Sequence, residues 1–268
     1  MRLFGLCCPN AGISNNKFRV VISGLALLIT VVGSYLVLHE PQRTKSGKVP
    51  GMSYAISPPL KSYGDPRLRR LPDESDFAFA KRINQVIFES FYHCAPNDAA
   101  RIADKLALHL VRSTDREQGF LDPKSARCGF CHQAAFILSY ALERGGVNAS
   151  PIGLNGHVVS LVTTNEGSYL FDPDYGASAI PYPNYSNLQV KSIYEQAGRW
   201  RNSLVPVYAS TDDDGPYYSM DSLKRTLLYQ RMAVFFIESA VLLILLLAIV
   251  NFYLTLAKYF KISRYASV

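Results

Sequence analysis

The stretch CGFCHQAAFILSYALERGGVNASPIGLNGHVVSLVTTNEGSYLFDP, running from Cys128 to Pro173, decides the fold. Over residues 131–143 the apolar side chains of Ala134, Ala135, Leu138 and Leu142 recur on one helical face, and Gly145-Gly146 stops the helix. The period then changes. Residues 147–154, 157–164 and 168–171 read as three short strands, broken at Asn155-Gly156 and Asn165-Glu166-Gly167, both hairpin-type signals. Upstream, Phe77, Ala80, Ile83, Ile87 and Phe91 repeat at helical spacing from about residue 75, and His93-Cys94-Ala95-Pro96 ends that run. Asn97 or Asp98 can cap a second helix with Ile102, Leu106 and Leu110 on one face. Residues 177–220, rich in Tyr, Pro and Asn, read as loops with a short helix near 193–200. Helices first and an antiparallel sheet after them is an α+β layout.

Three chemical groups stand at the ends of these elements. Cys131 opens the helix, His157 begins a strand, and Asp172 ends the next one. A nucleophilic cysteine must be a thiolate, and a helix N-terminus favours that form through its unpaired amides and its dipole. In an antiparallel hairpin the start of one strand lies near the end of the next, so Asp172 can orient the ring of His157. Gly129 permits a tight turn before the thiol, and Pro173 ends strand pairing at Asp172. A thiol, an imidazole and a carboxylate in this order suit attack on an amide or acyl carbonyl.

With these residues in view, the chain resembles the transglutaminase-like superfamily, whose core has the papain-like fold. The matching residues are Gly129-Phe-Cys131-His-Gln-Ala-Ala135, Gly146-Val147, His157-Val-Val159 and Phe171-Asp172-Pro173, covering roughly residues 125–176. The resemblance implies Cys131 as nucleophile, His157 as general base and acid, and Asp172 as its orienter. It also implies a core of helices packed on an antiparallel sheet. Family members often carry an aromatic residue where Val159 stands. The backbone amide of Cys131 and the side chain of Gln118 are the candidate oxyanion donors.

Other chemistries compete for the same residues. Cys128-Gly-Phe-Cys131-His132 also reads as a c-type haem attachment site, with His132 as proximal ligand and a histidine such as His157 as distal ligand. Cys128 and Cys131 could alternatively form a disulfide that switches a thiol enzyme off. No second Cys/His pair has metal-ligand spacing, so neither a metal nor another cofactor is expected. Cys94 belongs to an apolar pattern and is expected in the core.

Beyond this domain the composition points to a membrane. Residues 20–38 contain no charge; residues 239–257 are similarly apolar, between Glu238 and Lys258. Each run is hydrophobic all round and long enough to cross a bilayer. The first is too long for a signal-peptide core, and His39-Glu40-Pro41 follows it in place of a small-residue cleavage site. The expected division is a tail at 1–19, a span at 20–38, a Pro-rich linker at 39–74 and a transglutaminase-like domain at 75–220. A membrane-proximal segment at 221–238, a span at 239–257 and a tail at 258–268 complete it.

Two spans put both termini on one side. Arg2, Lys17, Arg19, Lys258, Lys261 and Arg264 flank the spans on that side, against Arg43, Lys45, Lys48, Lys224, Arg225 and Arg231 on the other. Long domains translocate regardless of charge, so the short termini carry more weight and are expected in the cytoplasm, with the domain periplasmic or otherwise exoplasmic. The net charge of +7 is largely membrane-flanking, and no nucleic-acid signature accompanies it. The expected partners are the lipid bilayer and a peptide, polymer or lipid-linked substrate. Glu238 and Asn251 also leave room for a membrane-protein complex in which the domain serves as a non-catalytic subunit.

Overall fold

The computed structural model describes residues 11–38, 57–93, 101–111, 121–124, 128–196, 204, 206–208, 215–216 and 219–265. They form an α+β protein. The helices are α1 (Ala11–Leu38), α2 (Asp76–Ser90), α3 (Ile102–Val111), α4 (Cys131–Arg144), α5 (Asn187–Gln196) and α6 (Met220–Tyr265). The strands are β1 (Tyr92–His93), β2 (Cys128–Gly129), β3 (Asn148–Leu154), β4 (His157–Thr164), β5 (Gly167–Asp172), β6 (Ala177–Pro181) and β7 (Gly215–Pro216). The chain divides into two compact units, one of residues 40–234 and one of residues 1–39 with 235–268.

The first unit is built on an antiparallel sheet of order β6-β5-β4-β3-β7. Alternation along the strands sends side chains to opposite faces. On one face Val162 and Phe171 pack with α2 (Phe79, Ile83, Ile87) and α4 (Phe136, Ile137, Leu138, Leu142). On the other, Val159, Leu170 and Ile180 pack with Val190 and Tyr194 of α5 and with Leu204, Val207 and Tyr208. Both faces are thus covered, which explains why β4 is buried at almost every position and lacks a polar alternation. Ser160 sits among apolar neighbours because its hydroxyl donates to the Ala135 carbonyl at 2.9 Å and accepts from Ser139. Each helix start follows its sequence: the Ser75 hydroxyl caps α2 by accepting from the Ala78 amide. Gly146, at φ +85°, turns the chain out of α4.

Four expectations are corrected. The linker does not extend to residue 74. Leu60, Tyr63 and Leu68 are buried in the core, Arg67 donates to the Ser90 hydroxyl of α2, and Arg82 of α2 donates to the carbonyls of Arg67 and Arg69. Isolated apolar anchors among prolines have no period to betray them. In α3, Ile102, Leu106 and Leu110 are 45%, 47% and 63% exposed, while Ala103, Asp104, Ala107 and Leu108 are buried. Asp104 tolerates burial through its ion pair with Arg101 at 2.6 Å, so the smaller residues face inward. The late helix, α5, begins at Asn187, six residues before the expected start, and the expected stretch 197–200 lies outside the described residues. Finally, β6 and β7 occupy sequence expected to be loop. The register of β5 against β6 shifts between Leu170 and Asp172, and Ala179 has φ +64°, so β6 shows no alternation to read.

Helix α6 runs unbroken through the expected membrane-proximal segment and second apolar run. Its first turns belong to the domain: Leu223 and Leu227 are in the core, the Gln230 side chain accepts from the Leu121 amide, and Arg231 pairs with Asp122 at 2.6 Å. In the second unit, α1 and the remainder of α6 are long and apolar enough to cross a membrane. Their side chains are mostly exposed, including Val21, Leu25, Leu28, Leu242, Leu246 and Leu254. Gly24 lets the helices approach, with Phe252 close against it, and the Ser23 hydroxyl lies 3.5 Å from that of Thr255.

Candidate functional site

Cys131 is the first residue of α4, with Phe130 as N-cap. The Gln133 side chain folds back so that its Oε1 accepts from the Phe130 amide at 2.7 Å, fixing the turn that presents the thiol. This explains Gly129 better than a tight turn does. A Cβ there would lie 2.1 Å from Gln133 Oε1 and 3.1 Å from Gln133 Cβ, and Gln133 is fully buried. Gly129→Ala is therefore expected to displace the cap, costing about 1–2 kcal/mol of stability and slowing Cys131 alkylation. Thermal unfolding and labelling rate together check this; an unchanged rate would mean the cap does not position the thiol.

His157 opens β4 and Asp172 closes β5. Ser160 pairs with Phe171, which sets Asp172 across from Val159 and diagonal to His157. His157 Nε2 lies 2.8 Å from Asp172 Oδ2. The imidazole is 9% exposed and the carboxylate 0%. The Cys131 thiol, half-buried, is near enough to the same ring to help raise its pKa. With Nε2 engaged by Asp172, Nδ1 is the nitrogen left for the thiol. Burial alone would pull the His157 pKa down. The charge and hydrogen bond of Asp172, with smaller contributions from Cys131, outweigh it and hold the imidazole well above its usual range.

Asp172 is itself held from several directions. Its Oδ1 accepts from the amides of Asp174 (3.0 Å) and Tyr175 (3.3 Å), and its Oδ2 also accepts from the Tyr194 hydroxyl at 2.5 Å. Tyr194 in turn lies 2.7 Å from the Tyr208 hydroxyl. Burial first, then the Asp172 charge and Tyr208, raise the Tyr194 pKa well above its usual range, so the phenol stays protonated and donates. The Tyr175 ring stands edge-on to His157, with centroids 5.6 Å apart. Sequence reading missed Tyr194, Tyr208, Tyr175 and Gln133. The one available signal was Val190 with Tyr194 at helical spacing, and it was hidden by the misplaced α5.

Cys131, His157 and Asp172 are brought together. Gln118, Cys94 and the side chain of Cys128 lie outside the described residues, and with them the Cys128–Cys131 disulfide. The Nε2 of His132, the proximal ligand of the haem reading, is buried. Val159 is fully buried against the α5 side, so the position that carries an aromatic in the resembled family lies in the core here. Among the described residues no cluster of His, Cys, Asp and Glu could hold a metal ion. No family model matches the chain, and neither curated proteins nor solved structures give a significant match.

Proposed function

We propose that this is a membrane-anchored cysteine enzyme with a papain-like, transglutaminase-like core, acting on amide or acyl bonds. The observation that carries the proposal is the buried His157–Asp172 pair at 2.8 Å, with a helix-opening thiol near enough to the same imidazole to help raise its pKa. Nucleophile, base and orienter have the mutual reach that acyl transfer needs.

In the proposed cycle the Cys131 thiol gives its proton to His157, and the thiolate attacks the substrate carbonyl to form a C–S bond. The imidazolium then protonates the leaving amine as the C–N bond breaks, leaving a thioester. Water or an amine attacks that thioester, His157 takes the acceptor's proton, and the thiolate departs. The Cys131 amide, at the N-terminus of α4, is a candidate donor to the developing oxyanion. Phe130, 40% exposed beside the thiol, offers an apolar contact for substrate. Asp172 keeps the ring oriented and stabilises its charged form. Tyr194 is a positioning residue acting through Asp172.

In this reading the domain lies on the exoplasmic side with both termini cytoplasmic, and a peptide, polymer or lipid-linked substrate close to the bilayer fits the two apolar helices. The test is acid-quenched mass spectrometry of the full-length protein after incubation with peptide and acyl-ester libraries, with and without a primary amine. An acyl mass on the Cys131 peptide, discharged faster by the amine if the enzyme is a transferase, supports the reading. Adducts at other residues with Cys131 unmodified would refute it. Tyr194→Phe should remain folded, lower turnover by about tenfold and shift its pH profile, since one strong hydrogen bond to the carboxylate is lost. A lower melting temperature with an unmoved profile would assign Tyr194 to packing alone.

A further inference from the structure

The N-terminal end of α1 and the C-terminal end of α6 enclose a cleft of about 320 Å³. Phe18, Arg19 and Ser23 of α1 and Thr255, Lys258 and Tyr259 of α6 line it. Arg19 directly precedes the apolar run that begins at Val20, and Lys258 directly follows the one that ends at Ala257. Both cations therefore stand at the depth where hydrocarbon gives way to headgroups, once the helices cross a bilayer.

The one acidic residue in this unit's sequence, Glu238, lies twenty residues before Lys258 on α6, about 30 Å along the helix. Among the described residues neither Arg19 nor Lys258 makes an ion pair. Two cations lining one cleft repel each other, and an anion bound there removes that cost. Arg offers a planar fork of donors and Lys a point charge, the combination that grips phosphate oxygens. Hydroxyls and aromatic rings in the same lining suit an anion that carries apolar chains, since Tyr259 has both a polar tip and an apolar body.

We propose that this cleft binds a phosphate group, supplied by the headgroup of an anionic phospholipid. The site is separate from the Cys131 centre and does not depend on the chain being an enzyme. One lipid is held by its phosphate between Arg19 and Lys258, and its acyl chains lie along the apolar faces of α1 and α6.

Native mass spectrometry of the full-length protein in detergent tests this, with phosphatidylglycerol, phosphatidylcholine of the same chain length, or inorganic phosphate added. One phosphatidylglycerol should stay bound under activation that strips phosphatidylcholine. The double variant Arg19→Ala/Lys258→Ala should lose about tenfold or more of that binding. Lys17→Ala/Lys261→Ala, the same charge change at exposed positions outside the cleft lining, should lose less than about threefold. Equal losses in the two doubles would mean diffuse charge and overturn the site. Displacement of the lipid by inorganic phosphate at matched concentration would overturn the lipid source. Should the first double fail to fold, a photoreactive phosphatidylglycerol on the unmodified protein decides. Cross-links concentrated at residues 18–23 and 255–259 are expected, and an even spread along both helices would contradict the proposal.

Discussion

Cys131→Ala and His157→Ala are each expected to lower turnover by about 10³-fold or more while leaving the domain folded. The structural reasons differ. Cys131 is a half-buried first residue of α4, where alanine is compatible with the helix and removes only the thiol. His157 is nearly buried, and its removal strips Asp172 of one donor. The carboxylate keeps the Tyr194 hydroxyl and the amides of Asp174 and Tyr175, so it is not left unsatisfied. The double variant should be no worse than either single one, because the two side chains act as one unit. Turnover measured with the library substrates, alongside thermal unfolding, checks this. Retained turnover in either single variant would remove that residue from the mechanism.

Asp172→Ala should be far more damaging to the fold than Asp172→Asn. The carboxylate is fully buried and accepts from His157, Tyr194 and two backbone amides. Alanine leaves all four donors without an acceptor, a loss of about 3–5 kcal/mol. Asparagine retains one carbonyl acceptor and should cost about 1–3 kcal/mol, with turnover still greatly reduced. The two variants also differ from wild type in pH dependence. His157 has a raised pKa in the folded protein, so folding is favoured most where it is protonated in both states, below about 6.5. That contribution fades as pH rises through the raised folded value. Denaturation across this window should show wild-type stability falling with pH, and the slope should flatten in Asp172→Asn. An identical slope in the variant would mean that Asp172 does not hold the imidazole's charge.

The parts of the fold that announced themselves in the sequence have strong periods and clear punctuation. Helix α4 and strands β3 to β5 follow the 3.6-to-2 change at Gly145-Gly146 and the glycine turns between strands. The two apolar helices of the second unit were legible for the same reason. The elements that escaped are those set by tertiary contact. Leu60, Tyr63 and Leu68 join the core singly. In α3 the buried Asp104 and small alanines win the inner face over three larger apolar residues, which reverses the amphipathic reading. Strand β6 is distorted beside Asp172, Tyr194 reaches that carboxylate and Tyr208 reaches Tyr194, both from segments with no motif. Cys131, His157 and Asp172 were legible because each marks the end of an element. What surrounds Asp172 was not, because hydrogen bonding across 22 residues leaves no spacing to recognise.

The measurement that bears most directly on the Cys131–His157–Asp172 centre is the alkylation rate of each cysteine against pH, in the purified full-length protein, read by peptide mass spectrometry. Cys131 should outpace the other cysteines by about 30-fold or more at pH 6, where an ordinary thiol is almost wholly protonated, and His157→Ala should abolish that advantage. Cys131 reacting at pH 6 no faster than the other cysteines, with the same profile in His157→Ala, would contradict an activated thiol and leave the fold without the proposed chemistry.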